Sequence, residues 1–170
     1  MAAKQLYIAI DPGMYGCVAF LSGKNGPGVP TFIDTPRIVT SGGKADVDPE
    51  GMAKILTRFR GSQSVSVAIE HVGVIRGQGI ASSGKFMRGF GIWIGILYAC
   101  LLKPVFVTPQ AWKKHWGLIS LEKSASIECA KKRWPSVNLA RTSPKGRTSS
   151  DSHDRADAAL MVEYLRVTTT

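Results

Sequence analysis

Two apolar runs in this chain each end in a carboxylate, which limits the folds that the chain can adopt. Asp11 follows the run 6–10, and Glu70 closes the alternating run 65–70. Apolar runs of this length are typical of strands buried in a sheet, and a charge at the end of such a strand is costly without a partner. Asp before Pro-Gly is also a common turn residue, and Glu70 could instead form an ion pair, for example with Arg76.

A second pair of carboxylates lies near the other end of the sequence. Asp154 and Asp157 are three residues apart in a segment with helical periodicity, so they share one helix face. Asp154 alone suits the first turn of a helix, where the macrodipole favours a negative charge. Together the two carboxylates repel each other unless a cation or a basic group lies between them. Taken with Asp11 and Glu70, the pair indicates a site for divalent cations, because Mg²⁺ prefers oxygen ligands.

The chain around these acids is strongly basic. Its 170 residues include 22 Lys and Arg against 12 Asp and Glu, a formal net charge of +10. The segment 103–155 holds 11 of the basic residues and only 4 of the acidic ones, so +7 of that charge lies in one stretch. Concentrated positive charge is typical of proteins that bind a polyanion such as nucleic acid. A solvated basic surface and an anionic membrane partner are the weaker alternatives.

Cysteine content and hydropathy argue against several other classes of protein. The three cysteines are far apart and form no CxxC pair, so neither a zinc site nor a disulfide framework is indicated. Reduced thiols and the lack of a secretory signal predict a cytoplasmic protein. The longest apolar stretch, 89–102, has 14 residues, whereas a transmembrane helix needs about 20. The length and a hydrophobic content of 44% predict one globular domain spanning 1–170.

The order of the expected elements predicts a mixed α/β sheet with helices packed on it. Strands are expected where apolar residues alternate or cluster, with the last of them short and buried: 5–11, 16–22, 29–35, 65–70 and 105–107. Helices are expected from periodicity and capping signals: 48–60, with Asp48 as N-cap and Pro49 at the first position, 85–102, 109–116, 122–133 and 152–166. Segments rich in Gly, Ser or Pro are expected to be loops: 36–48, 73–84 and 136–150.

The helix expected at 85–102 is apolar on nearly all sides, which predicts burial on most of them. One face repeats at three- and four-residue spacing: Phe86, Phe90, Trp93, Leu97 and Leu101. The helix is either a central core helix or one that also packs against a second copy of the chain. In the second case, Gly91 and Gly95 would allow the partner to approach closely.

Three motifs give the chain a resemblance to the RuvC-type Holliday junction resolvases, a family with a ribonuclease H-like fold that includes phage-encoded members. The motifs are Ile10-Asp11-Pro12-Gly13, Ala68-Ile69-Glu70 and Asp154-Arg155-Ala156-Asp157-Ala158. The segment 107–114 also looks like the family's stretch between the fifth strand and the next helix. These elements cover nearly the whole chain in the family's order. The resemblance implies a mixed five-stranded ribonuclease H-like sheet with helices on both faces.

The resemblance also implies an activity. Members of the family are homodimers that cut two opposed strands of a four-way DNA junction with the help of two Mg²⁺ or Mn²⁺ ions. Such ions stabilise both the attacking water and the leaving oxygen of a phosphodiester. Carried over, the catalytic and metal-binding residues would be Asp11, Glu70, Asp154 and Asp157, with Asp11 bridging the ions. His153 would be an auxiliary group near the scissile phosphate, and the cytoplasm would be that of a bacterium or a phage-infected host.

Basic residues that would contact DNA phosphates flank the four acids. They lie after Glu70, at the start of the helix expected at 109–116 and before the last helix: Arg76, Lys85, Arg88, Lys113, Lys114, Arg141, Lys145, Arg147 and Arg155. The run that follows Glu70 lacks the aromatic residue that family members often use to unstack bases. We therefore expect either four-way junctions or a broader class of branched DNA as the substrate.

Two other functional classes are also consistent with these residues. Actin-like ATPases and sugar kinases also start with a strand that ends in Asp before a glycine-containing hairpin. They need two such domains, however, and no second phosphate loop is visible in the sequence. A non-catalytic DNA-binding module of the same fold is the remaining alternative, and the presence of all four carboxylates counts against it.

Overall fold

The computed structural model describes residues 5–23, 28–71, 73, 79–142 and 148–169. The strands in this part of the chain are β1 (Leu6–Ile10), β2 (Cys17–Ser22), β3 (Thr31–Asp34), β4 (Arg37–Val39), β5 (Ala45–Val47), β6 (Val65–Glu70), β7 (Pro104–Val107), β8 (Ala140–Thr142) and β9 (Thr148–Asp151). The helices are α1 (Pro49–Thr57), α2 (Ile80–Ala99), α3 (Pro109–His115), α4 (Ser124–Arg133) and α5 (His153–Thr168).

Five strands form one mixed sheet in the order β3-β2-β1-β6-β7. The strands β1, β2 and β3 pair antiparallel, whereas β6 runs parallel to both β1 and β7. Ile10 at the end of β1 lies opposite Ile69 of β6. Because the two strands are parallel and in this register, Asp11 and Glu70 leave the sheet side by side. The mixed five-stranded sheet expected from the sequence is confirmed.

Helices cover both faces of this sheet, as the alternation of side chains along β1 requires. Ile8 and Ile10 point to the face that α1 and α2 cover, where Trp93 and Leu97 are fully buried. Tyr7 and Ala9 point to the opposite face, which is covered by α3, α4 and α5. The central strand is therefore buried from both sides, which gives the end of β1 a rigid support.

Small residues hold the last helix close to the sheet. Ser152 is the N-cap of α5, and its hydroxyl accepts a hydrogen bond from the backbone N–H of Arg155. Ala156, Ala158 and Ala159 then follow, all of them fully buried. Side chains this small let the first turns of α5 lie directly on β1 and β2. That contact places the helix start beside the end of β1.

Three segments expected to be loops contain regular structure. The segment 36–48 holds the antiparallel hairpin of β4 and β5, and 136–150 holds β8 and β9. In the segment 73–84, helix α2 already begins at Ile80, so the expected start at 85 was wrong. Each of these elements is short or rich in Gly and Ser, and short pairings of three or four residues leave little periodicity in a sequence.

Two details of burial also differ from expectation. The strand around Val105 and Phe106 was expected to be buried, but both side chains are nearly half exposed because β7 is the edge strand of the sheet. Leu101 was expected on the core face of the long helix, yet it lies beyond the end of α2 with a positive φ and is exposed. Helix α1 agrees with the prediction, with Asp48 accepting the N–H of Glu50 and Pro49 at its first position.

None of the helices in the described part of the chain is long and apolar enough to cross a membrane.

A buried ion cluster joins the last two helices. Glu163 of α5 is only 1% exposed, and its carboxylate accepts hydrogen bonds from Arg133 of α4 and from Arg166 at 2.6 and 2.7 Å. Burial alone would raise the pKa of Glu163, but the hydrogen bonds from the two arginines outweigh it and lower the pKa. The charged carboxylate is therefore a structural element of the fold.

We predict that Glu163→Gln lowers the free energy of unfolding by about 3 kcal/mol, because it leaves two guanidinium groups without their buried counter-charge. Urea denaturation at pH 7 measures this loss, and Glu128→Gln on the exposed face of α4 is the matched control. Because the folded-state pKa is lowered, the stabilisation is present above the ordinary value of 4.5 and is lost as the pH falls below it. Equal stability of the two variants at pH 7 would contradict a structural role for the cluster.

Candidate functional site

The four acids singled out in the sequence line one open cleft of about 410 Å³ at the carboxyl ends of β1 and β6. They come from three elements that are distant in sequence, namely β1, β6 and α5. The remaining lining residues are two lysines, a histidine, a serine, two leucines and a fifth acid: Lys113, Leu118, Leu121, Glu122, Lys123, Ser126, His153. The structure thus brings Asp11, Glu70, Asp154 and Asp157 together as the sequence predicted.

The turn after β1 holds Asp11 in place. Its Oδ1 accepts the backbone N–H of Gly13 at 3.0 Å, so the residue closes its own turn as well as facing the cleft. A Cβ at Gly16 would lie 2.2 Å from the carbonyl oxygen of Asp11, so only glycine fits there. Burial, together with the charges of the other three acids, raises the pKa of Asp11 to about 7, although the hydrogen bond from the Gly13 N–H opposes this rise.

Glu70 is fixed by a tryptophan from the neighbouring helix. The indole Nε1–H of Trp112 donates to Glu70 Oε1 at 2.9 Å, and the indole itself is fully buried in α3. Burial raises the pKa of Glu70, and the nearby charge of Asp157 adds to the rise. The Trp112 hydrogen bond and the charge of Lys113 act in the opposite direction. Trp112 therefore sets the orientation of one carboxylate oxygen and leaves the other to face the cleft.

Asp157 has a carboxylate oxygen without a partner. Burial raises the pKa of its carboxyl group, against the hydrogen bond from Ser126 and the charges of Lys113 and His153. Its Oδ1 is buried and accepts no hydrogen bond. A buried acceptor left unpaired costs free energy, and a bound cation is one way to recover it.

Asp154 differs from the other three acids because both of its oxygens have partners. Arg141 Nη2 donates to Oδ2 at 3.0 Å, and Nε2 of His153 lies 3.1 Å from Oδ1. The backbone carbonyl of Asp154 faces the buried thiol of Cys17, whose Sγ is 3.7 Å away. The carboxylate is thus held by basic groups at the edge of the cleft.

The donor set suits a hard cation, although the described residues do not hold the acids in a finished coordination shell. Among these residues, no three Asp, Glu, His or Cys side chains already form a group that could hold a metal ion. Each of Asp11, Glu70 and Asp154 instead has at least one carboxylate oxygen that accepts a hydrogen bond from the protein. Oxygen ligands, raised pKa values and the unpartnered Oδ1 of Asp157 fit Mg²⁺ or Mn²⁺. Metal binding therefore stays a prediction.

The basic residues expected to contact DNA fall into several environments. Lys113 is half-buried in the cleft wall, where its charge acts on both Glu70 and Asp157. Lys85 and Lys114 are exposed, and Arg88 is exposed but forms an ion pair with Asp46. DNA contact by these four residues stays a prediction. Three further candidates, Arg76, Lys145 and Arg147, lie outside the described residues.

The guanidinium of Arg155 is engaged in hydrogen bonds within the protein. Its guanidinium donates to both carboxylate oxygens of Asp34 at 3.0 and 3.1 Å and also to the carbonyl of Ala140. Its side chain is largely buried, so it ties α5 to β3 and β8. The DNA contact expected for Arg155 stays untested, and this geometry favours a structural role instead. Arg141 likewise faces Asp154 and the protein interior.

Several residues of the site carry no signal in the sequence. From the sequence, Trp112 is expected to be a core residue, yet its indole contacts Glu70. Lys123 and Ser126 belong to no motif, yet both line the cleft. Beside Glu70, His71 packs against Phe90 and Phe106, with ring centroids 5.8 and 5.7 Å away. Such contacts arise when strands and helices that are distant in sequence meet, so periodicity cannot reveal them.

The mixed five-stranded sheet with helices on both faces is a ribonuclease H-like α/β fold. Two solved structures share it over nearly their whole length. A Thermus thermophilus RuvC structure matches with a TM-score of 0.60 and 15% identity, covering 98% of each chain. T. thermophilus RuvC in complex with a Holliday junction substrate matches with a TM-score of 0.62 and 15% identity, covering 97% of each. No protein-family model and no curated protein sequence matches the chain.

We predict that Asp11→Asn stabilises the metal-free protein at alkaline pH. A folded-state pKa of about 7 against an ordinary value of 3.8 means that Asp11 contributes stability below 3.8 and that this contribution is lost as the pH rises to about 7. Asparagine keeps an oxygen for the Gly13 N–H and carries no charge. With a chelator present, the free energy of unfolding of the variant should therefore exceed that of the wild type by a few kcal/mol at pH 8 and by less at pH 5.

Thermal denaturation of both proteins across this pH range measures the effect. The matched control is Glu50→Gln, which removes an exposed carboxylate of α1 and should show no such dependence. A wild type that is as stable as Asp11→Asn at pH 8 would argue against a buried, repelled carboxylate at this position.

Proposed function

We propose that the protein is a metal-dependent endonuclease that cuts four-way or other branched DNA junctions. The observation that carries the proposal is the convergence of Asp11, Glu70, Asp154 and Asp157 on one cleft. Three separate elements supply these carboxylates, and no requirement of folding explains why a chain of net charge +10 gathers four acids at one sheet edge. The likeness to T. thermophilus RuvC, solved with a Holliday junction substrate, supports the choice of substrate class.

The acids would serve as ligands for two Mg²⁺ ions, or for Mn²⁺ in their place. The charges of Glu70, Asp154 and Asp157 all act on Asp11, which suits it to bridge two ions. When bound, such ions supply Lewis-acid stabilisation of charge on the attacking water and on the leaving oxygen of a phosphodiester. The protein contributes the rigid ends of β1 and β6 and the hydrogen bonds that aim each carboxylate.

Basic groups in and beside the cleft would position the DNA backbone. Lys113 and Lys123 line the cleft itself, and His153 is half-buried at its edge. Their positive charge compensates phosphate, and Lys113 also lowers the mutual repulsion of Glu70 and Asp157. The exposed Lys85 and Lys114 would extend the contacts along the backbone. In this arrangement, the acids would select the scissile bond, and the lysines would bind the phosphates next to it.

The proposed reaction is hydrolysis of one phosphodiester in each of two strands. Water adds across the P–O3′ bond, so its oxygen joins phosphorus and a proton goes to the departing 3′ oxygen. The products are a 5′-phosphate and a 3′-hydroxyl, which a ligase can rejoin. His153, with Nε2 at 3.1 Å from Asp154, is a group that could hold or move a proton at this edge.

A homodimer would supply the second active site, and an exposed stripe on α2 supports it. Ile80 is 93% exposed, Met87 42% and Tyr98 53%, and all three lie on one side of the helix. A Cβ added at Gly91 or Gly95 would meet nothing within 4 Å, so packing within one chain does not require these glycines. Exposed glycines inside a helix cost about 1 kcal/mol each relative to alanine, and a closely approaching partner helix would account for them.

We predict that the purified protein with Mg²⁺ or Mn²⁺ cuts a synthetic four-way junction and does not cut linear duplex at a comparable rate. Flap, fork and junction substrates incubated side by side would define the substrate class. Paired cuts within one junction would indicate two active sites acting together. A protein that hydrolyses ATP and leaves every DNA substrate intact would instead favour the kinase-like class.

Glu70→Gln and Glu50→Gln form the matched pair for this assay, since each removes one carboxylate. The first should reduce cleavage by at least roughly a hundredfold while retaining junction binding, and the second should leave cleavage unchanged. Binding without cleavage by the wild type, over a range of both metals, would favour the non-catalytic DNA-binding module.

We predict that Trp112→Phe reduces cleavage about 10- to 100-fold, because phenylalanine keeps the buried ring but loses the hydrogen bond to Glu70 Oε1. The metal concentration that gives half-maximal cleavage should rise at the same time, since a less oriented carboxylate binds the ion more weakly. Trp134→Phe is the control, because the Nε1 of that buried indole has no hydrogen-bond partner to lose. Equal activity of the two variants would show that the Glu70 contact is structural only.

A further inference from the structure

One guanidinium group links three parts of the molecule at the edge of the cleft. Arg141 projects from β8, and its Nη2 donates to Asp154 Oδ2 at 3.0 Å and to the carbonyl of Tyr15 in the turn after β1. Its Nε donates to the hydroxyl of Ser152, the N-cap of α5, at 3.2 Å. The side chain is only 19% exposed. Such a set of contacts fixes the guanidinium in one orientation.

This contact places Arg141 on an oxygen that a cation would need. Asp154 is the one acid of the described site whose two oxygens both face basic groups, Arg141 on Oδ2 and His153 on Oδ1. A guanidinium can neutralise a carboxylate as a metal ion does, but it cannot share the same lone pair with that ion. In its present position, the guanidinium of Arg141 occupies one lone pair of Oδ2 and repels a cation that approaches that oxygen.

Arg155 links the same elements of the fold independently of Arg141. Asp34 already accepts two hydrogen bonds from Arg155, whereas Arg141 Nε lies 3.8 Å from Asp34 Oδ1. The link between β3, β8 and α5 therefore depends on Arg155. Withdrawal of Arg141 from Asp154 would leave that link intact.

We propose that Arg141 is a positioning residue that occupies Asp154 in the metal-free protein and competes with the divalent cation for that carboxylate. The contact keeps Asp154 oriented and charge-compensated until a cation replaces the guanidinium. It also raises the cation concentration that the site requires. The inference rests on the proposed function, because it assumes that Asp154 is a metal ligand.

The test measures Mn²⁺ binding to the full chain without DNA, by calorimetry or by the electron paramagnetic resonance signal of free Mn²⁺. Arg141→Gln removes the competing group, so its dissociation constant for Mn²⁺ should fall about five- to tenfold. Arg37→Gln is the matched control for charge, because Arg37 lies over the ring of Tyr15, 4.7 Å from its centroid, and neither hydrogen-bonds nor ion-pairs with Asp154 in the described part of the chain. Its dissociation constant should change by less than about twofold, since a more distant charge is screened.

Two further variants make the result specific. In Asp154→Asn the gain from Arg141→Gln should disappear, because there is no carboxylate left to compete for. Arg141→Lys keeps the charge but cannot reach Asp154, Ser152 and Tyr15 together, so its affinity for Mn²⁺ should lie between those of the wild type and Arg141→Gln. This variant also carries the test if Arg141→Gln fails to fold, and thermal unfolding of each protein monitors that possibility.

The outcomes separate this inference from the proposed function. Tighter Mn²⁺ binding that depends on Asp154 supports the competition. Unchanged or weaker binding by both Arg141 variants, with normal binding by the wild type, would overturn the role of Arg141 and leave the nuclease proposal intact. Absence of Mn²⁺ binding by the wild type and by Arg37→Gln would overturn the inference together with the metal assignment.

Discussion

The parallel pairing of β1 with β6 is the constraint on which the site depends. Ile10 lies opposite Ile69 in that pairing, so the two residues that follow, Asp11 and Glu70, leave the sheet as neighbours. Both strands are buried from the two sides, and neither can shift its register without moving apolar residues out of the core. The fold therefore holds two like charges next to each other at a position where the backbone cannot relax to separate them.

The same arrangement brings several carboxylates close together, and different groups of the protein offset their repulsion. Burial raises the pKa of Asp11, Glu70 and Asp157, and the charge of at least one other acid of the site adds to each rise. Trp112 and the Gly13 N–H support the charged forms, and Lys113 adds a positive charge in the cleft wall. A site with this much unrelieved negative charge is suited to divalent cations. The basic surface around it suits the phosphates that such cations act on.

Local signals predicted the elements whose own residues specify them. The apolar alternation of 65–70 and the Asp48–Pro49 cap of α1 both appear in the structure where they were expected. The hairpins β4–β5 and β8–β9 were missed because pairings of three or four residues carry no periodic pattern. The exposure of β7 was missed because an apolar triplet reads the same in a central strand and at a sheet edge, and only the neighbours of the strand distinguish the two.

The sequence identified the four acids, because each stands at the end of an expected strand or in the first turns of an expected helix. It did not identify the partners of those acids. Trp112 reaches Glu70, Arg141 reaches Asp154 and Arg155 reaches Asp34 across tertiary contacts between separate elements. Hydrogen bonds of this kind depend on how helices pack on the sheet, and the spacing of residues in the sequence does not reveal that packing. Which basic residues compensate acids within the fold, and which remain free for a phosphate, was therefore decided by the folded arrangement.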